Sequence, residues 1–303
     1  MRNMRTVLLV GGSGFIGLHL TKSFLVKGYK VVIVSTSKPE LDHENLLCYV
    51  ADATNLEFFD LFFVGNKIDE AVYLINTIPP HGGDAVNLDV EVSINKAVLE
   101  VLFANVERVS FFSSGGRVYG YSEQIFSELS ELNPVCLYGQ LKLALENVVT
   151  ELAEIFNKDY LIIRPSNPYG PGQNIYGSQG FIAIALGKFL RGEAVEVWNG
   201  GLDVRDYIYI DDFIAMFMNI FEHKGLPFNT YNIGSSIGVS TLEVISYIQE
   251  VCNIDDFDVD VKPATKMASS IVLDISRYLK LFPDTNIREC EVGISQFYEY
   301  LNN

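Results

Sequence analysis

The sequence predicts a doubly wound α/β fold, in which helices cover both faces of a parallel sheet. Short apolar runs alternate with helical patterns from the start of the chain, as TVLLV (6–10) and FIGLHLTKSFLVKG (15–28) illustrate. The apolar runs are continuous and rich in Val, Ile and Leu, which is typical of parallel strands buried on both faces. Glycines stand between the first strand and the first helix, where such sheets bind ligands. Together these observations favour the doubly wound class.

Each further apolar run justifies one more strand. After 6–10, strands are predicted at 30–35, 46–52, 70–76, 108–114 and 160–167. The helical patterns between them cover 15–28, 91–106 and 139–156. The first of these helices closes with Gly28, a residue that commonly follows a helix end.

The sequence changes in texture after about residue 165. SNPYGPGQNIYGSQG (166–180) is rich in Gly, Pro, Asn and Tyr, which predicts a loop. Further helices and short strands are predicted within 181–191, 195–198, 205–223 and 230–251. We therefore predict a cofactor-binding domain at 1–166 and a smaller α/β substrate domain at 167–303. Parts of 205–235 are expected to pack back on the first domain.

Composition restricts the possible partners. The 303 residues contain 22 Lys and Arg against 38 Asp and Glu, a formal charge of −16. This balance argues against nucleic-acid binding and against an anionic membrane surface. The four cysteines, Cys48, Cys136, Cys252 and Cys290, lack metal-ligand spacing, so we predict no metal and reduced thiols. No apolar run approaches the roughly 18 residues of a membrane span, and a cytoplasmic protein is expected.

A glycine-rich turn is predicted to bind a dinucleotide. VLLVGGSGFIG (7–17) places a G-x-x-G-x-x-G run between a strand and a helix. Glycines there let the pyrophosphate approach the backbone, and the helix N-terminus supplies N–H donors. The residues assigned to this site are Gly11, Gly14, Phe15, Ile16 and Gly17.

The end of the second strand bears on the choice between NAD and NADP. An NAD site usually has Asp or Glu there, but VVIVSTSK (31–38) has Ser35. Ser35 and Lys38, with Ser37, are candidates to receive a 2′-phosphate, and both cofactors remain open. Asp52, after the third strand, is assigned to the adenine, although it could equally cap a turn or helix. Ala53, the next residue, is assigned to the cofactor site.

A tyrosine and a lysine lie on one face of a predicted helix. LYGQLKLALE (137–146) spaces Tyr138 and Lys142 four residues apart. An ammonium near a phenol lowers the phenol's pKa from about 10, towards the range of a general base. The lysine is also expected to hold the nicotinamide ribose. Pairs with this spacing also occur as surface decoration.

Six segments give the chain a family resemblance. They are GGSGFIG, SSGGRVYG, YGQLK, RPSNPYGPGQ, VRDYIYIDD and YNIGSS, in this order along nearly the whole chain. The sequence resembles an extended short-chain dehydrogenase/reductase of the nucleotide-sugar epimerase/dehydratase type, close to the UDP-glucose 4-epimerases. This resemblance implies a Rossmann-type domain with tightly held NAD(P), a C-terminal domain for a nucleoside-diphosphate sugar, and often a homodimer joined by a four-helix bundle.

The resemblance also implies roles for individual residues. Tyr138 is expected to be the acid/base with Lys142 as its partner, and Pro165 to contact the cofactor. Asn167 and Arg205 are expected to contact the substrate diphosphate, although Arg205 could instead form an ion pair with Asp203 or Asp206. Trp198 matches an aromatic near the nucleobase, although a lone tryptophan is more often a core residue. Lys266 lies near a further basic contact to the diphosphate.

One position departs from the family pattern. In FFSSGGRVYG (111–120), Gly115 stands where relatives have the catalytic Ser or Thr. Ser114 is therefore the candidate hydroxyl donor. Gly116 and Arg117 replace the acidic pair of dehydratases, so we predict that the protein is not a dehydratase.

Three functions remain in order of preference. The first is an NAD(P)-dependent nucleotide-sugar epimerase that transiently oxidises a sugar carbinol, C4 being favoured. The second is an NADPH-dependent reductase of a nucleoside-diphosphate 4-keto-6-deoxy sugar. The third is a non-catalytic NAD(P)-binding regulator, which the intact Tyr138 and Lys142 disfavour.

Overall fold

A computed structural model describes residues 4–78, 86–121, 124–253, 258–264 and 269–303. Its strands are β1 (Thr6–Val10), β2 (Lys30–Ser35), β3 (Leu46–Val50), β4 (Glu70–Tyr73), β5 (Arg108–Phe112), β6 (Asp159–Pro165), β7 (Asn167–Tyr169), β8 (Val195–Val197), β9 (Val204–Tyr209), β10 (Thr230–Ile233), β11 (Gly238–Ser240), β12 (Val259–Val261) and β13 (Ser270–Ile271). Its helices are α1 (Phe15–Val26), α2 (Leu56–Gly65), α3 (Leu88–Asn105), α4 (Gly115–Val118), α5 (Leu137–Phe156), α6 (Phe181–Leu190), α7 (Ile210–Glu222), α8 (Thr241–Cys252), α9 (Ser276–Leu279) and α10 (Cys290–Asn302). Within the described ranges, no helix is long and apolar enough to cross a membrane.

A seven-stranded sheet has the order β10-β6-β5-β4-β1-β2-β3. The neighbouring strands from β6 to β3 all run parallel. Four residues of β1 and five of β2 are buried, because both faces of each strand are covered. The predicted doubly wound α/β fold is thus confirmed. Because β2 and β4 flank β1 on opposite sides, the carboxyl end of β1 lies at the reversal of strand order, where such sheets bind ligands.

Helix α2 and strand β7 are among the elements that the sequence did not predict. Helix α2 has the sequence LEFFDLFFVG, in which apolar residues face every direction, so no amphipathic period marks it. Strand β7 falls in the segment predicted as a loop and has only three residues. It forms because Asn167, Pro168 and Tyr169 pair with residues 207–209 of β9.

The described residues divide into two compact units. The first contains Met1–Val118, Leu132–Arg164 and His223–Tyr231, and therefore most of the seven-stranded sheet. Helix α3 packs on α5 within it.

The second unit contains Tyr119–Glu131, Pro165–Glu222 and Asn232–Asn303. In this unit, β9 pairs with β11, β13 and β7, and β8 pairs with β12.

The main difference between these units and the predicted domains is the segment 119–131. The prediction placed 119–131 in the first domain, but the segment belongs to the second unit. Its Phe126 bridges to Leu273, and the Asn232 side chain bonds the Phe126 carbonyl oxygen and the Tyr119 hydroxyl. Of 205–235, only His223–Tyr231 belongs to the first unit.

We predict that Gly17→Ala destabilises the fold by about 1–3 kcal/mol, because overpacking forces the backbone to shift. A Cβ at Gly17 would lie 2.6 Å from the carbonyl oxygen of Gly12. The matched control is Gly65→Ala at the end of α2, where a Cβ would have nothing within 4 Å. Urea unfolding of both variants tests this, and equal midpoints would contradict the close contact between α1 and the glycine turn.

Candidate active site

The glycine turn between β1 and α1 is shaped partly by the protein's own backbone. Gly11 has a φ of +88°, which favours glycine, and a Cβ there would lie 3.4 Å from the backbone nitrogen of Ile75. Gly17 must be small because α1 packs directly on the carbonyl oxygen of Gly12. Two of the three predicted glycines therefore have a structural reason of their own.

Gly14 has no such reason, which makes it the informative glycine. Its φ of −73° suits any residue, and the nearest atom to a Cβ there would be Gly11 O, at 3.7 Å. It is exposed at the N-terminus of α1, which has no side-chain cap and no acidic residue in its first turn. The first turn holds Phe15 and Ile16, whose N–H groups suit an anion. An open space above helix donors fits the pyrophosphate of a dinucleotide.

A cluster of hydroxyls marks the end of β2. Ser35 is buried there, and its Oγ lies 2.5 Å from Ser13 Oγ. The Ser37 hydroxyl also donates to Ser13 Oγ, at 3.0 Å. Lys38 follows and is exposed. Ser13 was missed from the sequence, because only the fold brings the glycine turn against β2.

Three other residues predicted for the cofactor site have structural roles of their own. Asp52 Oδ1 accepts bonds from the N–H and the hydroxyl of Thr54, at 2.9 and 2.8 Å. These bonds lower the pKa of Asp52 and close the turn that the sequence offered as the alternative. Ala53 is buried in the core. Pro165 ends β6 and belongs to the second unit. The contacts predicted between the cofactor and Asp52, Ala53 and Pro165 stay predictions.

Ser114, Tyr138 and Lys142 come together at the end of β5. The Ser114 hydroxyl lies near enough to the Tyr138 phenol to lower its pKa. Lys142 Nζ donates to the carbonyl oxygens of Phe112 at 2.8 Å and of Ile75 at 3.4 Å. It therefore ties α5 to the carboxyl ends of β5 and β4, and it lies 5.8 Å from the centre of the Tyr138 ring.

The electrostatics of this pair differ from the prediction. Burial raises the pKa of Tyr138 to about 12. The Ser114 hydroxyl and the Arg117 guanidinium both lower this pKa, but the effect of burial is larger. Burial also lowers the pKa of Lys142 to about 7, against the opposing charge of Glu146. The predicted lowering of the phenol's pKa by Lys142 is therefore wrong for the protein's own groups. The amine points at carbonyl oxygens and loses much of its charge on burial.

The short helix α4 sets the position of Ser114, the residue before Gly115. The carbonyl oxygen of Ser114 accepts from the N–H groups of Arg117 and Val118, which places Ser114 at the start of α4. A Cβ at Gly139 would lie 2.5 Å from the Arg117 carbonyl oxygen. Helix α4 thus packs directly on α5 beside Tyr138, and Ser114 reaches the phenol from the preceding position.

A buried ionic network supports this arrangement and was missed from the sequence. Arg164 forms two bonds to the Glu146 carboxylate, of 2.9 and 2.6 Å. The Ser113 hydroxyl donates to the same carboxylate at 2.5 Å. Two features of the sequence could have indicated this network: a glutamate one helical turn beyond Lys142, and an arginine inside an otherwise apolar strand.

The predicted substrate residues lie in the second unit. Asn167 Nδ2 donates to the Asp206 carbonyl oxygen at 2.8 Å, which fixes Asn167 against β9. Arg205, also on β9, donates to the carbonyl oxygens of Val204 and Ser269 and to the Ser269 hydroxyl. Trp198 follows β8 and is 66% exposed, so it is not a core residue. Lys266 lies outside the described residues.

Comparison with known proteins places these features in a family. The sequence profile of the NAD dependent epimerase/dehydratase family matches residues 7–234. A dTDP-4-dehydro-6-deoxyglucose reductase from Escherichia coli is 31% identical over 290 residues, which cover 89% of each chain.

Solved structures agree with this match. UDP-glucose 4-epimerase from Thermotoga maritima, solved with UDP-glucose, is 26% identical, with a TM-score of 0.84 and 98% coverage of both chains. MoeE5, solved with UDP-glucuronic acid and NAD, is 26% identical, with a TM-score of 0.85 and coverage of 98% of this chain and 99% of its own. The resemblance inferred from the sequence is confirmed.

We predict that buried Lys142 makes stability depend on pH. Its pKa is about 7 in the folded protein and 10.5 when exposed, so the unfolded chain binds more protons between these values. Between pH 7 and 10, the wild type should therefore gain stability relative to Lys142→Met by up to about 1.4 kcal/mol per pH unit. Urea unfolding at several pH values measures this difference. Lys22→Met, at an exposed lysine, is the control, and its stability difference from the wild type should not depend on pH. A difference between wild type and Lys142→Met that is equally independent of pH would refute the buried amine.

Proposed function

Since the chain belongs to the NAD dependent epimerase/dehydratase family, we propose that it epimerises a nucleoside-diphosphate hexose by transient oxidation of a carbinol carbon, C4 being favoured. The observation that carries this proposal is that buried Tyr138 lies beside buried Lys142, whose Nζ is 5.8 Å from the centre of the phenol ring, with the Ser114 hydroxyl near enough to lower the phenol's pKa. All three residues belong to the same unit as the glycine turn. The substrate class is inferred from the Thermotoga maritima epimerase, whose structure contains UDP-glucose.

The chain's own residues manage the proton of the sugar hydroxyl. Tyr138 exchanges a proton with the reacting oxygen, and Ser114 donates a hydrogen bond that stabilises negative charge on the phenolic oxygen. Lys142 fixes the start of α5 to the strand ends and is available to bind the nicotinamide ribose. Gly14 and the first turn of α1 hold the pyrophosphate. The bound dinucleotide supplies the acceptor and donor of hydride.

The second unit is proposed to bind the nucleoside diphosphate. Arg205 offers a planar guanidinium suited to phosphate oxygens, and Asn167 offers an amide on the adjoining strand. Trp198 offers an exposed ring on which a base could stack.

A reductase of a 4-keto sugar is the second candidate. The Escherichia coli relative of 31% identity carries that name. The raised pKa of Tyr138 also keeps the phenol protonated at neutral pH, which is the form that donates to a carbonyl oxygen during reduction.

Other parts of the proposal rest on sequence and family alone. The family includes dehydratases, but Gly116 and Arg117 leave this site without the acidic pair, so we propose no dehydration. A homodimer and a cytoplasmic location are proposed from family likeness. A purely regulatory role is disfavoured, because the protein keeps both Tyr138 and Lys142, buried and close together.

We predict that Tyr138→Phe lowers kcat at least about 100-fold, because the general acid/base is lost. The affinity for the dinucleotide, measured by calorimetry, should change little. The control is Tyr300→Phe, at a tyrosine that is 54% exposed on α10. Full turnover by Tyr138→Phe would remove the proposed proton carrier.

Product analysis separates the two candidate reactions. For an epimerase, we expect UDP-glucose to convert to a second UDP-hexose without net consumption of added cofactor. Oxidation of stoichiometric NADPH, seen only with a 4-keto-6-deoxy nucleotide sugar, would instead establish the reductase.

We predict that Arg205→Ala raises KM for the nucleotide sugar about tenfold or more, because a charged bond to the diphosphate is lost. The kcat should change less than KM. Arg191→Ala is the matched control, since Arg191 belongs to the same unit but pairs with Glu193 on the surface. Steady-state kinetics checks both variants, and an unchanged KM in Arg205→Ala would exclude the phosphate role.

A further inference from the structure

We propose that Ser13, Ser35, Ser37 and Lys38 form a pocket for the 2′-phosphate of the cofactor, so that the protein selects NADP(H) over NAD(H). The inference rests on the proposed use of a nicotinamide dinucleotide. It does not depend on whether the sugar reaction is epimerisation or reduction.

The pocket is built by the contact between the glycine turn and β2. A Cβ at Gly12 would lie 2.9 Å from Leu9 Cβ and 3.0 Å from Ile33 Cγ1, so the turn lies directly on the sheet. This contact brings Ser13 to Ser35, with 2.5 Å between the hydroxyl oxygens. Since Ser13 lies next to Gly14 in the turn, the hydroxyl cluster continues directly from the proposed pyrophosphate site.

The chemistry of the cluster suits a phosphate better than a ribose diol. Ser35 closes β2, where a carboxylate would accept both ribose hydroxyls and repel a 2′-phosphate. Three hydroxyls offer three protons, and the two bonds within the cluster use two of them. At least one proton, and more after rotation of the hydroxyls, is available to phosphate oxygens.

The charge near the end of β2 also favours a phosphate. Lys38 is exposed, and its positive charge reaches Cys48 on the neighbouring strand β3. The nearby carboxylate of Asp52 is engaged by Thr54 through Oδ1. In a chain with a formal charge of −16, the lysine that directly follows Ser37 supplies a local positive charge. Ser37 and Lys38 are exposed, so stability does not require them.

Calorimetric titration tests the inference on the full chain, after removal of any nucleotide carried through purification. We expect NADPH to bind at least about tenfold more tightly than NADH, because a charged phosphate contact is worth about that factor or more. Lys38→Ala and Ser37→Ala should each weaken NADPH binding several-fold and leave NADH binding unchanged. Ser35→Asp should reverse the preference.

Two exposed neighbours provide matched controls. Thr36→Ala in the same segment and Lys22→Ala on α1 should leave the preference intact. Equal affinity for the two cofactors, tighter NADH binding, or an equal loss of both in Lys38→Ala would overturn the inference. Tighter NADH binding together with intact sugar turnover would overturn this inference but not the proposed function. Failure to bind either dinucleotide would overturn the proposed function as well.

Discussion

The site depends on one buried ion pair, between Glu146 of α5 and Arg164 of β6. Ser113 bonds the same carboxylate, so the pair joins the helix to the ends of two neighbouring strands. Breaking a buried pair from one side costs about 3–5 kcal/mol, because the remaining charge stays in the protein interior. One helical turn before Glu146, Lys142 bonds the ends of β4 and β5. The network therefore fixes where Ser114 and Tyr138 meet.

The same burial sets the protonation of the site. It raises the pKa of Tyr138 and lowers that of Lys142, so both groups favour their neutral forms. Ser114 and Arg117 oppose the shift at Tyr138, and Glu146 opposes it at Lys142. The raised pKa keeps the phenol at the start of α5 protonated at neutral pH. Ser114 is held next to Gly115 because α4 begins directly after it and packs on Gly139.

The sequence predicted the fold class and the family, because buried parallel strands and glycine turns leave strong local patterns. It did not predict α2, whose apolar residues face all directions, or the membership of 119–131, which long-range contacts with residues 232 and 273 decide. Ser13 and the Glu146–Arg164 pair were missed for the same reason, since each partner is distant in sequence. The direction of the Tyr138 pKa was mispredicted because spacing shows proximity to Lys142 but not burial.

The central claim is that Ser114 acts through Tyr138 in place of the hydroxyl absent at Gly115. A double-mutant cycle with Ser114→Ala and Tyr138→Phe, measured as the single-turnover rate on the nucleotide sugar, tests it most directly. The account predicts that Ser114→Ala slows turnover in the wild type but has almost no further effect once Tyr138 is phenylalanine. Equal slowing in both backgrounds would show that Ser114 acts independently of the phenol, and would contradict the account.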